Sequence, residues 1–263
     1  MTLRSVSAGG RHDKMHAYGT REWLESQYQR STSDPWGLNW RPTQMYRYGR
    51  MIAELTVVRE SRNAPMDCVV DVGCATGEFT ELLRRSLPES AGRRVVGVDV
   101  SQTAIERARK RHPQVEFRVA ALDELSRHFP GSADLFSCLE VLYYLPLEGR
   151  LPALEALHSA LRPGGLLLVS SMIGKRPYLN QRELAALVQQ RFQIVSGGCL
   201  PLWPLTTIEK VGLALARFAP HASPNSFLPG RTGFNVMRRL AAACGATLGG
   251  RANSHTYLVA ERA

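Results

Sequence analysis

A chain of 263 residues with 44% apolar and 8% aromatic content can bury a large core, as one α/β domain or a domain with an added lobe. It has no apolar run of about 18 residues and no apolar stretch before Trp23, so neither a membrane-spanning helix nor a secretory signal is expected, and a cytoplasmic location follows. The net charge of +10 suits acidic partners, nucleic acid or a membrane surface, but the arginines are scattered without an aromatic-interleaved basic module, so no specific nucleic acid is expected.

Residues 1–17 are polar and glycine-bearing, and read as a flexible N-terminus ahead of a single domain over 18–263. Within it, 18–60 read as an N-terminal cap or lid. Thr20 is placed to cap a short helix bearing Trp23, Leu24 and Tyr28, although no glutamate completes a capping box. A turn-rich aromatic stretch, Asp34 to Trp40, follows. Pro42 then opens a helix with Met45, Tyr48 and Ile52 on one side and Tyr46 near Arg50. These aromatics either pack the cap onto the core or enclose a small polar ligand, and the two readings are compatible.

Apolar runs then alternate with helical patterns. Strands are expected at 68–72, 94–98, 115–119, 135–139, 166–170, 192–195 and 255–260. Helices are expected at 80–87, 102–111, 152–161 and 181–190. Strands apolar on both faces imply a doubly wound, mostly parallel seven-stranded sheet of Rossmann-like α/β type. The final strand should lie near an edge. Between the last two strands, 200–248 form a helical insertion that presents Leu202, Trp203, Leu205, Ile208, Leu215 and Phe218. It is either a satellite core or a wall of a substrate site, and an apolar face meeting lipid stays open. The five cysteines show no CxxC or Cys/His spacing, which suits free thiols and offers no metal site.

The chemistry concentrates at the end of the first strand. Gly73 and Gly77 flank a tight turn between strand and helix, where the missing Cβ lets backbone approach a ligand. Asp99 ends the next strand at the same carboxyl edge, as a carboxylate for ribose hydroxyls would. Asp71, inside the first strand, needs donors, either from a ligand ammonium or from the loop's own N–H groups. The turn lacks G-x-G-x-x-G and G-K-[ST], so a nucleoside ligand without phosphates fits better than a dinucleotide or triphosphate.

Four segments in order, VVDVGCATGEFTELL, VVGVDVS, ADLFSCLEVLYYL and LRPGGLLLVSS, resemble the successive motifs of class I S-adenosylmethionine-dependent methyltransferases. DPWG, the aromatic arginine-bearing helix and EVLYYL are similar to the nodulation protein S (NodS-like) N-methyltransferase branch. The resemblance implies S-adenosyl-L-methionine as cofactor. Gly73, Cys74 and Gly77 would line its methionine part, with Asp71 orienting the loop or meeting the amino group. Asp99 would bind the ribose, with Val100 beside the adenine and the Leu122 backbone at the ring, since Ala121 stands where an acidic residue is common. Arg50 is favoured over Arg47 as the clamp on the cofactor carboxylate. Glu140 would lie beside the transferring methyl and, with Tyr143, is the catalytic candidate. Trp36, Trp40, Tyr46, Tyr144 and Trp203 are candidates for substrate contact. His158 is placed away from the crevice.

The function this implies is methyl transfer to a small-molecule acceptor, with nitrogen of an amino sugar or secondary metabolite as the first reading. O-methylation of a hydroxyl or lipid-like acceptor and an inactive cofactor-binding scaffold are the alternatives. A monomer or homodimer, with peripheral membrane contact left open, completes the expectation.

Overall fold

The computed structural model describes residues 18–31, 34–38, 41–88, 90, 92–216 and 230–263, so the expected flexible N-terminus (1–17), Trp40 and Phe218 lie outside the described residues. Two helices, α1 (Arg21–Arg30) and α2 (Pro42–Arg62), precede the sheet. Thr20 caps α1 by accepting the Trp23 N–H at 3.2 Å.

The strands are β1 (Cys68–Val72), β2 (Arg94–Asp99), β3 (Glu116–Val119), β4 (Ala133–Leu139), β5 (Leu161–Met172), β6 (Gln193–Leu200) and β7 (His255–Glu261). Their order is β3-β2-β1-β4-β5-β7-β6. β1 to β5 pair in parallel, whereas β7 runs antiparallel to both β5 and β6. The doubly wound, mostly parallel sheet and the position of the last strand beside the edge are therefore as expected.

Alternating side chains build a core on each face. Val70, Val72, Phe136 and Leu167 meet α6 (Leu147–Ala160) and α7 (Gln181–Val188) through Leu154, Leu157 and Leu184. Val69, Leu135 and Leu168 meet α2 and α3 (Glu78–Ser86) through Met51, Leu55, Phe79 and Leu83. The remaining helices are α4 (Gln102–Arg111), which packs on β3, and the single turn α5 (Leu125–His128).

Three boundaries differ from expectation by more than two residues. α6 begins at Leu147, with Pro152 inside it rather than opening it. Its missing N–H costs one helical bond, while the flanking Ala153, Leu154 and Leu157 keep the segment buried. β5 begins at Leu161 because the Arg-Pro-Gly-Gly segment stays attached to the sheet; Gly164 N–H donates to the Arg262 carbonyl at 2.8 Å and Arg262 N–H to the Gly165 carbonyl at 2.9 Å. β6 continues to Leu200 through Gly197 and Gly198, where a Cβ would stand 2.6 Å from Leu258 and 3.1 Å from Tyr257.

The insertion forms two helices, α8 (Trp203–Ala216) and α9 (Gly230–Leu248). Leu202, Met237 and Ala241 join the core on the α2 side of the sheet. Glu209 of α8 reaches the start of α2, which has no side-chain cap of its own. Its carboxylate accepts the Thr43 N–H at 2.7 Å, the Thr43 hydroxyl at 2.6 Å and Arg41 Nε at 3.0 Å. The acidic charge also complements the positive helix N-terminus.

At the opposite end of the sheet, Asp134 ties β4 to the entrance of β1. It accepts the N–H groups of Asp67 and Cys68 at 2.9 and 2.8 Å and pairs with Arg162 at 2.5 Å. Asp134→Ala leaves these donors unsatisfied. Urea unfolding is expected to show a loss of about 2–3 kcal/mol, whereas a loss under about 0.5 kcal/mol would remove this joint from the stability of the fold.

Candidate active site

The carboxyl edge of the parallel strands opens into a cavity of 660 Å³ between the sheet and the cap. Its floor starts at the turn after β1. Gly73 has φ +69° and Ala75 +52°, which curls the backbone so that Gly73 and Cys74 N–H both donate to the Val98 carbonyl, at 2.8 and 3.0 Å. A Cβ on Gly73 would lie 2.4 Å from the Val141 side chain, so the loops after β1 and β4 meet here at backbone distance.

Asp99 lines this floor and is held by backbone. Its two oxygens accept the Ala75 and Ser101 N–H groups at 3.0 and 2.9 Å. Burial pushes its carboxyl above the usual range, against the lowering effect of those N–H groups. A carboxylate offers about four acceptor positions, so capacity remains for a ligand hydroxyl.

Asp71 is held by hydroxyls and not by the loop's N–H groups. The hydroxyls of Thr80 (α3) and Ser137 (β4) each donate at 2.6 Å. Burial pushes Asp71 up to about 6, and the two hydroxyl bonds only partly oppose this. It borders the cavity while tying β1, α3 and β4 together.

The polar centre of the cavity wall is the pair Arg47–Glu140. Glu140 follows β4 with φ +63°, a left-handed conformation that strains a non-glycine residue. Its Oε1 accepts the Ser170 hydroxyl at 2.8 Å and Arg47 Nη2 at 3.1 Å. Arg47 Nη1 donates to Gln44 Oε1 at 2.8 Å. Glu140 Oε2 and Arg47 Nε are buried with no hydrogen-bond partner, and both residues line the cavity. Two orphaned atoms of opposite polarity on one wall are a ready seat for a ligand bearing both an acceptor and a donor.

Aromatic rings roof the cavity. Trp36 and Tyr144 face it, backed by Trp23 at 6.2 and 6.0 Å between centroids. Tyr143 packs edge-on against Tyr178 at 4.9 Å, and both rings also line it. Burial raises the phenol of Tyr143 well above its ordinary value. α1 is fixed over the β2 tip at its middle and at its C-terminal end. Glu25 accepts from the Ser101 hydroxyl at 2.6 Å, and Arg107 of α4 donates to the Tyr28 and Ser31 carbonyls at 2.9 and 2.7 Å.

Of the residues expected at a site, Asp71, Gly73, Cys74, Asp99, Val100, Leu122, Glu140, Tyr143, Trp36 and Tyr144 share this cavity. Arg50 does not line it; its side chain hydrogen-bonds to Tyr257 of β7 instead. Arg47, about 60° around the helix, takes the place expected for Arg50. Gly77 turns into α3 with φ +88° and lies against Phe117 and His112 instead of lining the cavity. Tyr46 is buried against Phe234 of α9 at 5.3 Å. Trp203 is 57% exposed on α8, away from the cavity. His158 packs edge-on against Phe192 at 5.3 Å, clear of the site as expected.

Gln44, Arg41, Tyr178 and Ser170 were not anticipated. For Gln44 and Arg47 a signal was present: two polar residues three apart on the same side of α2 as the buried Tyr48, Met51 and Leu55. Ser170 and Tyr178 had none, because only the fold brings them to Glu140 and Tyr143.

The strand order, the antiparallel β7 and this cavity at the β1–β2 edge define the class I S-adenosylmethionine-dependent methyltransferase fold. Residues 69–165 match the family model described as a methyltransferase domain. The Ubiquinone biosynthesis O-methyltransferase of Xanthomonas campestris pv. campestris is 32% identical over 108 residues, 40% of this chain and 42% of that protein. Trans-aconitate 2-methyltransferase of Methylobacterium nodulans is 40% identical over 101 residues, 38% of this chain and 36% of that protein. The chain thus spans under half the length of these curated relatives. The crystal structure of N-methyltransferase NodS from Bradyrhizobium japonicum, in complex with S-adenosyl-L-homocysteine, superposes with a TM-score of 0.59 at 18% identity, covering 93% of this chain and 98% of that one.

The elevated Asp71 predicts a pH signature. Its folded pKa of about 6 exceeds the unfolded 3.8, so the native state holds the extra proton between these values. Stability from this group is present below the unfolded pKa and is lost as pH rises through about 6, by about 3 kcal/mol. Asp71→Asn is expected to remove that contribution, seen as a wild-type-minus-variant difference in urea unfolding between pH 4 and 7. A pH-independent difference would contradict it.

Proposed function

We propose that this chain is an S-adenosylmethionine-dependent methyltransferase that methylates an oxygen of a small acceptor with a largely apolar body. The observation that carries the cofactor reading is the conjunction, in one cavity, of the Gly73 turn, the backbone-held Asp99 and the orphaned atoms of Arg47 and Glu140. These groups fit the cofactor's chemistry. Asp99 retains acceptor capacity for ribose hydroxyls, and Arg47 Nε is a donor for a carboxylate. When bound, the cofactor supplies an electrophilic methyl group on a sulfonium.

The protein's part is alignment and exclusion of water. Trp36, Tyr143, Tyr144 and Tyr178 give the acceptor an aromatic enclosure. Glu140 Oε2 is the unoccupied acceptor that would take a hydrogen bond, and finally the proton, from an acceptor hydroxyl as its oxygen becomes methylated. Ser170 and Arg47 hold the other oxygen and fix the carboxylate's orientation. Transfer to oxygen is favoured by the name of one curated relative, an O-methyltransferase, and by this carboxylate, which a hydroxyl needs more than a neutral amine does. Transfer to the nitrogen of an amino sugar is the second reading, supported by the likeness in fold to NodS across nearly the whole chain.

Two tests separate these readings. In calorimetry with S-adenosylhomocysteine, Asp99→Ala and Arg47→Met are each expected to weaken binding at least about tenfold, since a hydrogen bond to a charged group contributes roughly 1.5–3 kcal/mol. Arg50→Met should leave affinity unchanged; the reverse ranking of the two arginines would refute the assignment. In a methyl-transfer panel, phenolic and other hydroxyl acceptors should turn over, and Glu140→Gln should slow them by about a hundredfold. Turnover confined to amines, unaffected by Glu140→Gln, would give the reaction to nitrogen, and binding without turnover of any acceptor would favour a scaffold.

A further inference from the structure

The described part of the insertion, 201–216 with 230–252, turns one side of each helix into the core and the other to solvent. On α8, Leu202 is buried at the helix entrance and Glu209 faces α2. The opposite side carries Trp203, Ile208 and Val211, exposed by 57, 67 and 55%. With the exposed Thr207 among them, these positions form an outward stripe at helical spacing.

The charge of the insertion is mostly of one sign. Over these two segments the sequence holds five basic residues (Lys210, Arg231, Arg238, Arg239, Arg251) and a single acidic one, Glu209. Glu209 is not available to offset them outside, because its carboxylate is engaged by Arg41 and Thr43. Arg238 and Arg239 of α9, and Arg251 in the turn after it, are exposed, as are Leu240 and Leu248.

We propose that the insertion is a peripheral docking surface for an anionic lipid bilayer. Trp203, Ile208 and Val211 enter the boundary between headgroups and acyl chains, while Arg238, Arg239 and Arg251 meet lipid phosphates. An exposed apolar stripe with tryptophan at one end, and arginines on the adjoining helix and turn, are the composition an interfacial surface requires. No helix among the described residues is long and apolar enough to cross a membrane, so the contact is on the surface. A second copy of the chain fits this face less well, since it would bring like charges together. Nucleic acid would satisfy the arginines but leave Ile208 and Val211 in water. The helix placed in the bilayer is also the one whose Glu209 holds Arg41 at the cavity rim, so docking occurs beside the catalytic cavity and not on its far side.

Co-sedimentation of the full chain with vesicles tests this independently of methyl transfer. Binding is expected to phosphatidylcholine mixed with phosphatidylglycerol at low salt, and to fall at high salt and with phosphatidylcholine alone. The double variant R238Q/R239Q should lower partitioning by about thirtyfold, given roughly 1 kcal/mol for each basic residue near an anionic surface. W203S/I208S should lower it at least about tenfold, with circular dichroism and S-adenosylhomocysteine affinity unchanged because both side chains are exposed. No binding to the mixed vesicles overturns the proposal, as does equal binding to both vesicle types or unchanged partitioning of either variant. Self-association abolished by W203S/I208S without vesicle binding would assign the face to a second copy and overturn it too.

Discussion

A buried carboxylate without a cation organises the carboxyl edge of this sheet. Asp71 accepts one hydroxyl from α3 and one from β4, so the strand, the helix that follows it and the neighbouring strand share a joint just below the glycine turn. Above that joint the turn closes on β2 through the Val98 carbonyl and the Asp99 carboxylate. Val141 then occupies the space over Gly73. The loop carrying Glu140 is thereby seated on the loop carrying Cys74 and Ala75, and the left-handed backbone of Glu140 is held in place by the pieces around it.

The second organising contact spans cap and sheet. Arg47 comes from α2 and Glu140 from the tip of β4, and each uses part of its bonding capacity on the other. A pair this buried must satisfy its remaining atoms or bear a desolvation penalty. The orphaned Nε and Oε2 therefore distinguish this wall from an ordinary structural ion pair, in which ligand-free packing would leave nothing open.

Most of the sheet was legible because a strand buried on both faces can scarcely be written except as a run such as Val69-Val70 or Leu166 to Val169. The floor of the site was legible for a similar reason: Gly73 and Asp99 act through local backbone geometry at strand ends. What failed depended on rotation about a helix or on packing at a distance. Arg47 and Arg50 are chemically identical in sequence, and only the seating of α2 on the sheet turns one inward. Tyr46 and Trp203 have the composition of a binding wall, but Phe234 takes the first into the core and the second remains in solvent. Asp71 found donors that periodicity does not reveal, since Ser137 lies 66 residues away.

The clips on the cap also set an order of assembly. α1 and α2 are synthesised before the sheet, yet α1 is held by Ser101 and Thr103, 76 and 78 residues later, and the start of α2 by Glu209, 166 residues later. Loops of that length must close before either contact contributes stability, whereas the strand-to-helix units between them need only local closure. The sheet therefore becomes a platform before its roof is fastened. The cap emerges ahead of the strands and settles after them, and the start of α2 is clipped only once the insertion between β6 and β7 has folded.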